Sequence, residues 1–98
     1  MSAPKAPPGH FTLLYFASAR SCAKVSHEFL PAPLPLASLY GELERKYPGI
    51  RTKVLDSSAL TLNLDYVDVD VESAKPDGQG LEIQPGDEVA IIPPVSSG

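Results

Sequence analysis

Apolar and polar positions change their spacing several times along the chain, and each change marks an element. Phe11-Thr12-Leu13-Leu14-Tyr15-Phe16-Ala17 is apolar and aromatic, which predicts a strand buried on at least one side. Residues 18–23 are small and polar and are expected to form a connection. Residues 24–30 then alternate Val25, His27 and Phe29 against Ser26 and Glu28, the period of a second strand, so the first two strands are expected to make a hairpin. Beyond the prolines at 31, 33 and 35, Leu36, Leu39, Tyr40, Leu43 and Tyr47 recur at spacings of three and four, which predicts an amphipathic helix that Pro48-Gly49 ends. Residues 59–64 and 66–71 alternate again, predicting two strands that join at Asp65, and Lys75-Pro76-Asp77-Gly78 predicts a loop. Last, Leu81-Glu82-Ile83 leads into Gln84-Pro85-Gly86-Asp87, whose Pro-Gly pair suits the centre of a type II turn, and residues 88–92 form a final apolar strand.

Two N-terminal strands, a crossing helix and a C-terminal strand able to return beside the first give an α+β arrangement: a mixed sheet with one main helix packed on one face. That is the β-grasp, or ubiquitin-like, architecture. Four of the first nine residues are Pro or Gly, so residues 1–9 are expected to be a disordered leader, residues 10–95 the folded domain, and residues 96–98 a flexible tail.

Composition narrows the chemistry. A chain of 98 residues that is 43% hydrophobic suits one small domain. Its formal charge of −4 and scattered basic residues argue against nucleic acid, because phosphate binding needs clustered Lys and Arg. Cys22 is the single cysteine, so neither an internal disulfide nor a multi-cysteine metal site is available and a cytoplasmic setting is expected. No apolar run reaches the roughly 20 residues of a membrane span, and no signal peptide is evident. His10 and His27 stand far apart without companion ligands, so no metal site is expected. Asp68, Asp70 and Glu72 are evenly spaced after Asp65, which places them on one solvated strand face rather than in a catalytic carboxylate pair. There is no glycine-rich phosphate loop with its lysine.

The C-terminus is the remaining candidate. Pro93 and Pro94 fix φ and supply no N–H, so they stop the strand ladder. From Ile92 outward, Pro93, Pro94, Val95, Ser96, Ser97 and Gly98 carry no side-chain charge and extend roughly 20 Å at full reach. Glycine at the end offers the least resistance to a narrow channel. A short Ser-Ser-Gly terminus taken alone is more often only a chain end.

Leu14-Tyr15-Phe16-Ala17, Leu62-Asn63 with Tyr66-Val67, and Gly86-Asp87-Glu88-Val89-Ala90 leading into Ile92-Pro93-Pro94-Val95 and the terminal glycine resemble the small, sulfur-carrying (MoaD-like) subunits of molybdopterin synthases. The resemblance spans about residues 10–98. It implies that a ubiquitin-activating-like adenylyltransferase and sulfurtransferase, which uses the ATP, adenylates Gly98 and converts it to a thiocarboxylate. The chain itself would bind no cofactor. The sulfur would pass to cyclic pyranopterin monophosphate inside the large synthase subunit, in a heterotetramer, during molybdenum cofactor biosynthesis. By the same resemblance Phe16, Tyr66 and Ile92 face partners, and Pro93, Pro94, Val95, Ser96 and Ser97 thread the active-site channel. For Phe16 and Ile92, each within an apolar run, core packing is the competing reading. The family commonly ends Gly-Gly, and Ser97 departs from that, adding a Cβ and a hydroxyl where the channel fits glycine. Two other roles stay open: a sulfur carrier for tRNA thiolation or thiamine synthesis, and a non-covalent ubiquitin-like binding module.

Overall fold

The first apolar run becomes β1 (His10–Tyr15) in a computed structural model that describes residues 5–76 and 80–94. Phe11, Leu13 and Tyr15 alternate onto one side of β1 and are buried there. The other strands of the main sheet are β2 (His27–Pro31), β4 (Ala59–Leu62), β5 (Asp65–Val67) and β7 (Glu88–Ile92), in the order β2-β1-β7-β4-β5. A short pair, β3 (Leu34–Pro35) and β6 (Glu82–Ile83), stands apart. β1 and β7 run parallel and the other neighbours antiparallel, so the sheet is mixed and the last strand lies beside the first.

The helical stripe forms a 3-10 turn at Leu36–Ser38 and then α2 (Leu39–Lys46). Leu36, Leu39, Tyr40 and Leu43 are buried and join Phe11, Leu13, Tyr15, Val89 and Ile91 in one core. The chain turns at Gly49, at φ +92, into the short α3 (Ile50–Lys53). With the helices on one face, the fold is the expected α+β β-grasp. The Pro-Gly turn also forms, with Gly86 at φ +88 and the Asp87 N–H donating to the Gln84 carbonyl at 3.0 Å.

Three local expectations are corrected. Residues 18–23 are not a loop but lie in α1 (Ala17–Ala23), so β1 and β2 pair antiparallel across a helix rather than through a tight hairpin. Ala19 and Ala23, one turn apart, are both buried, and their small side chains let this short helix sit close to the core. The β4–β5 turn falls at Asn63-Leu64, not at Asp65. After β5 the chain turns helical as α4 (Val69–Ser73), because the Asp68 carboxylate caps it by accepting from the Asp70 and Val71 N–H groups at 2.9 and 3.2 Å. Asp68, Asp70 and Glu72 therefore do not share a strand face. Glu72 is buried, bonded to Lys75 at 2.8 Å and to the Leu81 N–H, and these two contacts hold its carboxyl below the usual range. Of the predicted 75–78 loop, Lys75 and Pro76 follow α4 outside any helix or strand, and residues 77–78 lie outside the described residues.

Asn63 and Leu64 have φ of +51° and +74°, the pattern of a type I′ hairpin turn, which suits Asn-Gly. Leu64 is 84% exposed, so it bears the left-handed strain without burying its side chain. Leu64→Gly is expected to stabilise the fold by about 0.5–1 kcal/mol, read as a higher urea midpoint at unchanged m-value. A lowered midpoint would show that Leu64 makes a contact worth more than its backbone strain.

Candidate functional site

Residues directly opposite across paired strands carry their side chains on the same face. Tyr66 pairs with Thr61, Thr61 with Ala90, Ala90 with Leu14 and Leu14 with His27, so these five form one row on the face away from the core helices. The next row toward the chain end holds Ala59 opposite Ile92. Phe16 joins it: its backbone is extended (φ −115°, ψ 152°), its N–H donates to the Ile91 carbonyl at 3.2 Å, and its side chain alternates away from the buried Tyr15. The three sequence candidates thus share one open face. Phe16 is 47% exposed, Tyr66 is 76% exposed and Ile92 is half-buried, so core packing is not the reason for the two aromatics. Pro93 is buried and Pro94 exposed as the stem leaves the sheet beside Ala59. Val95, Ser96, Ser97 and Gly98 lie outside the described residues.

Which face Ile92 occupies depends on register, since a slip of one residue would turn every side chain of β7 over. That register is held at the other end of the strand. The Asn63 N–H donates to the Glu88 carbonyl at 2.8 Å and the Glu88 N–H to Asn63 Oδ1 at 2.9 Å. Asn63 Nδ2 donates to Asp87 Oδ1 at 3.1 Å, while Asp87 Oδ2 accepts from the Gln84 N–H at 2.8 Å. One asparagine in a left-handed turn and one aspartate after a Pro-Gly turn therefore tie β4 to β7. This gives a physical purpose to the Leu62-Asn63 and Gly86-Asp87-Glu88 motifs.

Leu14, Thr61 and Ala90 belong to the same face and were not singled out from the sequence. The signal was present for Leu14, because Leu14 and Phe16 alternate with the buried Leu13 and Tyr15. Small Ala90 and Thr61 at the centre flatten the face between the larger Tyr66 and Phe16. Cys22 is half-buried in α1 and packs against the core. Among the described residues no group of three or more His, Cys, Asp or Glu is placed to hold a metal ion, and no helix is long and apolar enough to cross a membrane. What the site offers is a partly exposed apolar face continuous with the Pro93-Pro94 stem.

The sequence profile of the ThiS family matches residues 13–98. The chain is 51% identical over 98 residues to the molybdopterin synthase sulfur carrier subunit of Pyrenophora tritici-repentis, covering 100% of both. It is 56% identical over 88 residues to the protein of the same name from Emericella nidulans, covering 90% of this chain and 97% of that one. Among solved structures, subunit 1 or 2 of the molybdopterin-converting factor complex from Helicobacter pylori shares the fold with a TM-score of 0.57 at 21% identity, over 91% of this chain and 99% of that one.

Proposed function

The chain belongs to the ThiS family, and from that premise we propose how it acts as the sulfur-carrier subunit of a molybdopterin synthase. The observation that carries this reading is the end-to-end similarity to fungal subunits of that name, on a β-grasp fold whose open apolar face runs into the Pro93-Pro94 stem. The chain is a carrier rather than an enzyme with its own pocket.

The reactive atom is the terminal carbonyl carbon of Gly98. An α-carboxylate has a pKa of about 3.3–3.7, so it is ionised at neutral pH and resists nucleophiles until one oxygen becomes part of a leaving group. An adenylating partner supplies that group: the carboxylate attacks the α-phosphorus of ATP and pyrophosphate departs. Sulfide-level sulfur from the donor then attacks the glycyl carbonyl carbon, the bond from that carbon to the phosphate oxygen breaks, AMP leaves, and the sulfur stays on Gly98 as a thiocarboxylate. The ATP site belongs to the partner.

Phe16, Tyr66 and Ile92 act as the docking face, with the half-buried Leu14 beside them, because exposed apolar residues grouped on one face mark an interface. Pro93, Pro94, Val95, Ser96 and Ser97 form the arm that carries Gly98 into the partner's channel. The partners are the adenylyltransferase and a large synthase subunit that holds the pterin precursor, cyclic pyranopterin monophosphate. The paired subunits 1 and 2 of the Helicobacter pylori converting factor support an assembly of this kind, with two copies of each chain as its expected form. Delivery is to molybdenum cofactor synthesis in the cytoplasm.

The test is intact mass spectrometry of the chain after incubation with ATP, the activating enzyme and a sulfur donor. Replacement of one oxygen by sulfur, localised to Gly98, is the expected result and would show that Ser97 is tolerated. No mass change, with an enzyme active on another carrier, would leave the open face as a non-covalent binding surface.

A further inference from the structure

Beside the open face lies a groove of about 270 Å³ whose walls include Ala59 and Tyr66 from that face, Tyr40 from α2, and the carboxylates of Asp56, Asp68 and Asp70. Asp68 uses Oδ1 to cap α4, and its second oxygen makes no hydrogen bond among the described residues. The Asp70 carboxylate has neither hydrogen bond nor ion pair among them. Asp56 is 3.6 Å from Arg51, whose guanidinium carbon also sits 5.8 Å from the centre of the Tyr40 ring. Three carboxylates against one guanidinium leave the groove a surplus of negative charge.

Tyr40 adds an independent signal. It is only 7% exposed, and its hydroxyl makes no hydrogen bond among the described residues. Since no fully buried side-chain polar atom there lacks a partner, this hydroxyl is accessible, on a residue that lines the groove. Burial, and next the carboxylates of Asp70, Asp56 and Asp68, raise its pKa, so it stays protonated and neutral while keeping lone pairs to accept a donor. The hydroxyl is open at the surface and free to accept from a donor that enters the groove.

We propose that this groove receives an arginine side chain of the large synthase subunit, with the Tyr40 hydroxyl and the Asp70 carboxylate accepting from its guanidinium and the Tyr66 ring lying against its plane. The proposal rests on the carrier reading, because the occupant must come from a protein already covering the open face. Continuity supports this source: Ala59 lines the groove and pairs with Ile92, the last strand residue before the stem. Arginine fits better than lysine because acceptors at several wall positions and an adjacent aromatic face match a planar, five-donor, weakly hydrated cation. Arginine and tyrosine are also the residues around which interface energy concentrates.

The test is calorimetric titration of the full chain with its large subunit, using wild type, Tyr40→Phe, Asp70→Asn and, as a charge control that does not line the groove, Glu82→Gln. Tyr40→Phe removes a hydroxyl that the fold does not use, so its melting temperature should match wild type while affinity falls about tenfold. Asp70→Asn should weaken binding by at least as much, and Glu82→Gln by less than twofold. Wild-type affinity in both groove variants overturns the proposal while leaving the carrier reading intact. Equal losses in Asp70→Asn and Glu82→Gln, with none in Tyr40→Phe, also overturn it by showing only general charge attraction. Failure of the wild-type chain to bind the large subunit overturns the carrier reading itself.

Discussion

Deleting Gly98 is expected to reduce sulfur loading and molybdopterin formation below detection, a loss of at least about a thousandfold, while the melting temperature stays within about 1 °C of wild type. The truncated chain still ends in a carboxylate, now on Ser97, so the loss does not come from the ionisation of the acid. It comes from reach and shape. One residue contributes roughly 3.3–3.6 Å of extended chain, and a misplacement of about 1 Å can already cost a hundredfold in a reaction that depends on alignment. The new terminal residue also carries a Cβ and hydroxyl where the last position needs none. The buried core runs from Phe11 to Ile91, so stability is set elsewhere in the chain. Gly98→Ala keeps the length and adds a single methyl, and should fall between the two. Ser97→Gly should load at least as fast as wild type, because it restores the ending usual in the family. The measurement is the fraction of chain carrying the thiocarboxylate by intact mass at fixed times. Normal loading of the truncated chain would sink the assignment of Gly98.

Glu28→Ala is expected to be the most destabilising single change outside the apolar core, at about 2–4 kcal/mol, lowering the melting temperature by something on the order of 10–25 °C. Glu28 lies on β2 opposite Leu13, on the helix side of the sheet. There Oε2 accepts from the hydroxyls of Tyr15 and of Tyr47, the latter at 2.7 Å, and Oε1 accepts from Lys46. The two tyrosine rings meet edge to face with centroids 6.2 Å apart. Removing the carboxylate leaves the hydroxyl of the buried Tyr15 without its acceptor, and that desolvated group sets most of the cost. Lys46 is half-exposed and contributes little of it. Glu28→Gln keeps an acceptor and should lose about half as much. A loss below about 0.5 kcal/mol for the alanine variant in urea denaturation would show that the cluster does not bear on stability.

The same cluster contributes to the pH dependence of stability at both ends. Burial works to raise the Glu28 carboxyl, but the hydrogen bonds from Lys46, Tyr15 and Tyr47 outweigh it and hold the group below its ordinary 4.5. Its contribution is therefore complete above that value and lost as pH falls through the lower folded value. Burial, then the hydrogen bond and charge of Glu28, push Tyr47 up to about 12 and raise Tyr15 well above 10. Their contribution is complete below pH 10 and fades as pH rises through 12. Glu28→Gln should make the acid-side loss of stability shallower without abolishing it, because Glu72 and Glu44 are also held below their ordinary value.

The strands and main helix were legible because their cues are local. Burial on one side gives period two in residues 11–16 and spacings of three and four from Leu36 to Tyr47, and Pro85-Gly86 admits few turns. The misread elements had equally local cues that compete. Alternation in residues 66–71 suits a strand, yet Asp68 in capping position with β5 only three residues long turned the chain into α4. Alanine and serine at 17–23 read as a connection because a short helix buried on two alanines has too narrow an apolar stripe to show a period.

By itself the sequence determined the order of the long strands and the main helix, the negative charge, and a proline stem leading to a final glycine, all of which follow from residue type at a position. Tertiary structure decided what depends on distant partners. It brought Phe16, Tyr66 and Ile92 onto one face through strand register, and it turned Glu28, apparently a solvent-facing strand residue, toward two tyrosines. It also gathered Tyr40 and three aspartates from two separate segments around one groove. Such contacts join residues far apart in the chain, and no spacing along it records them.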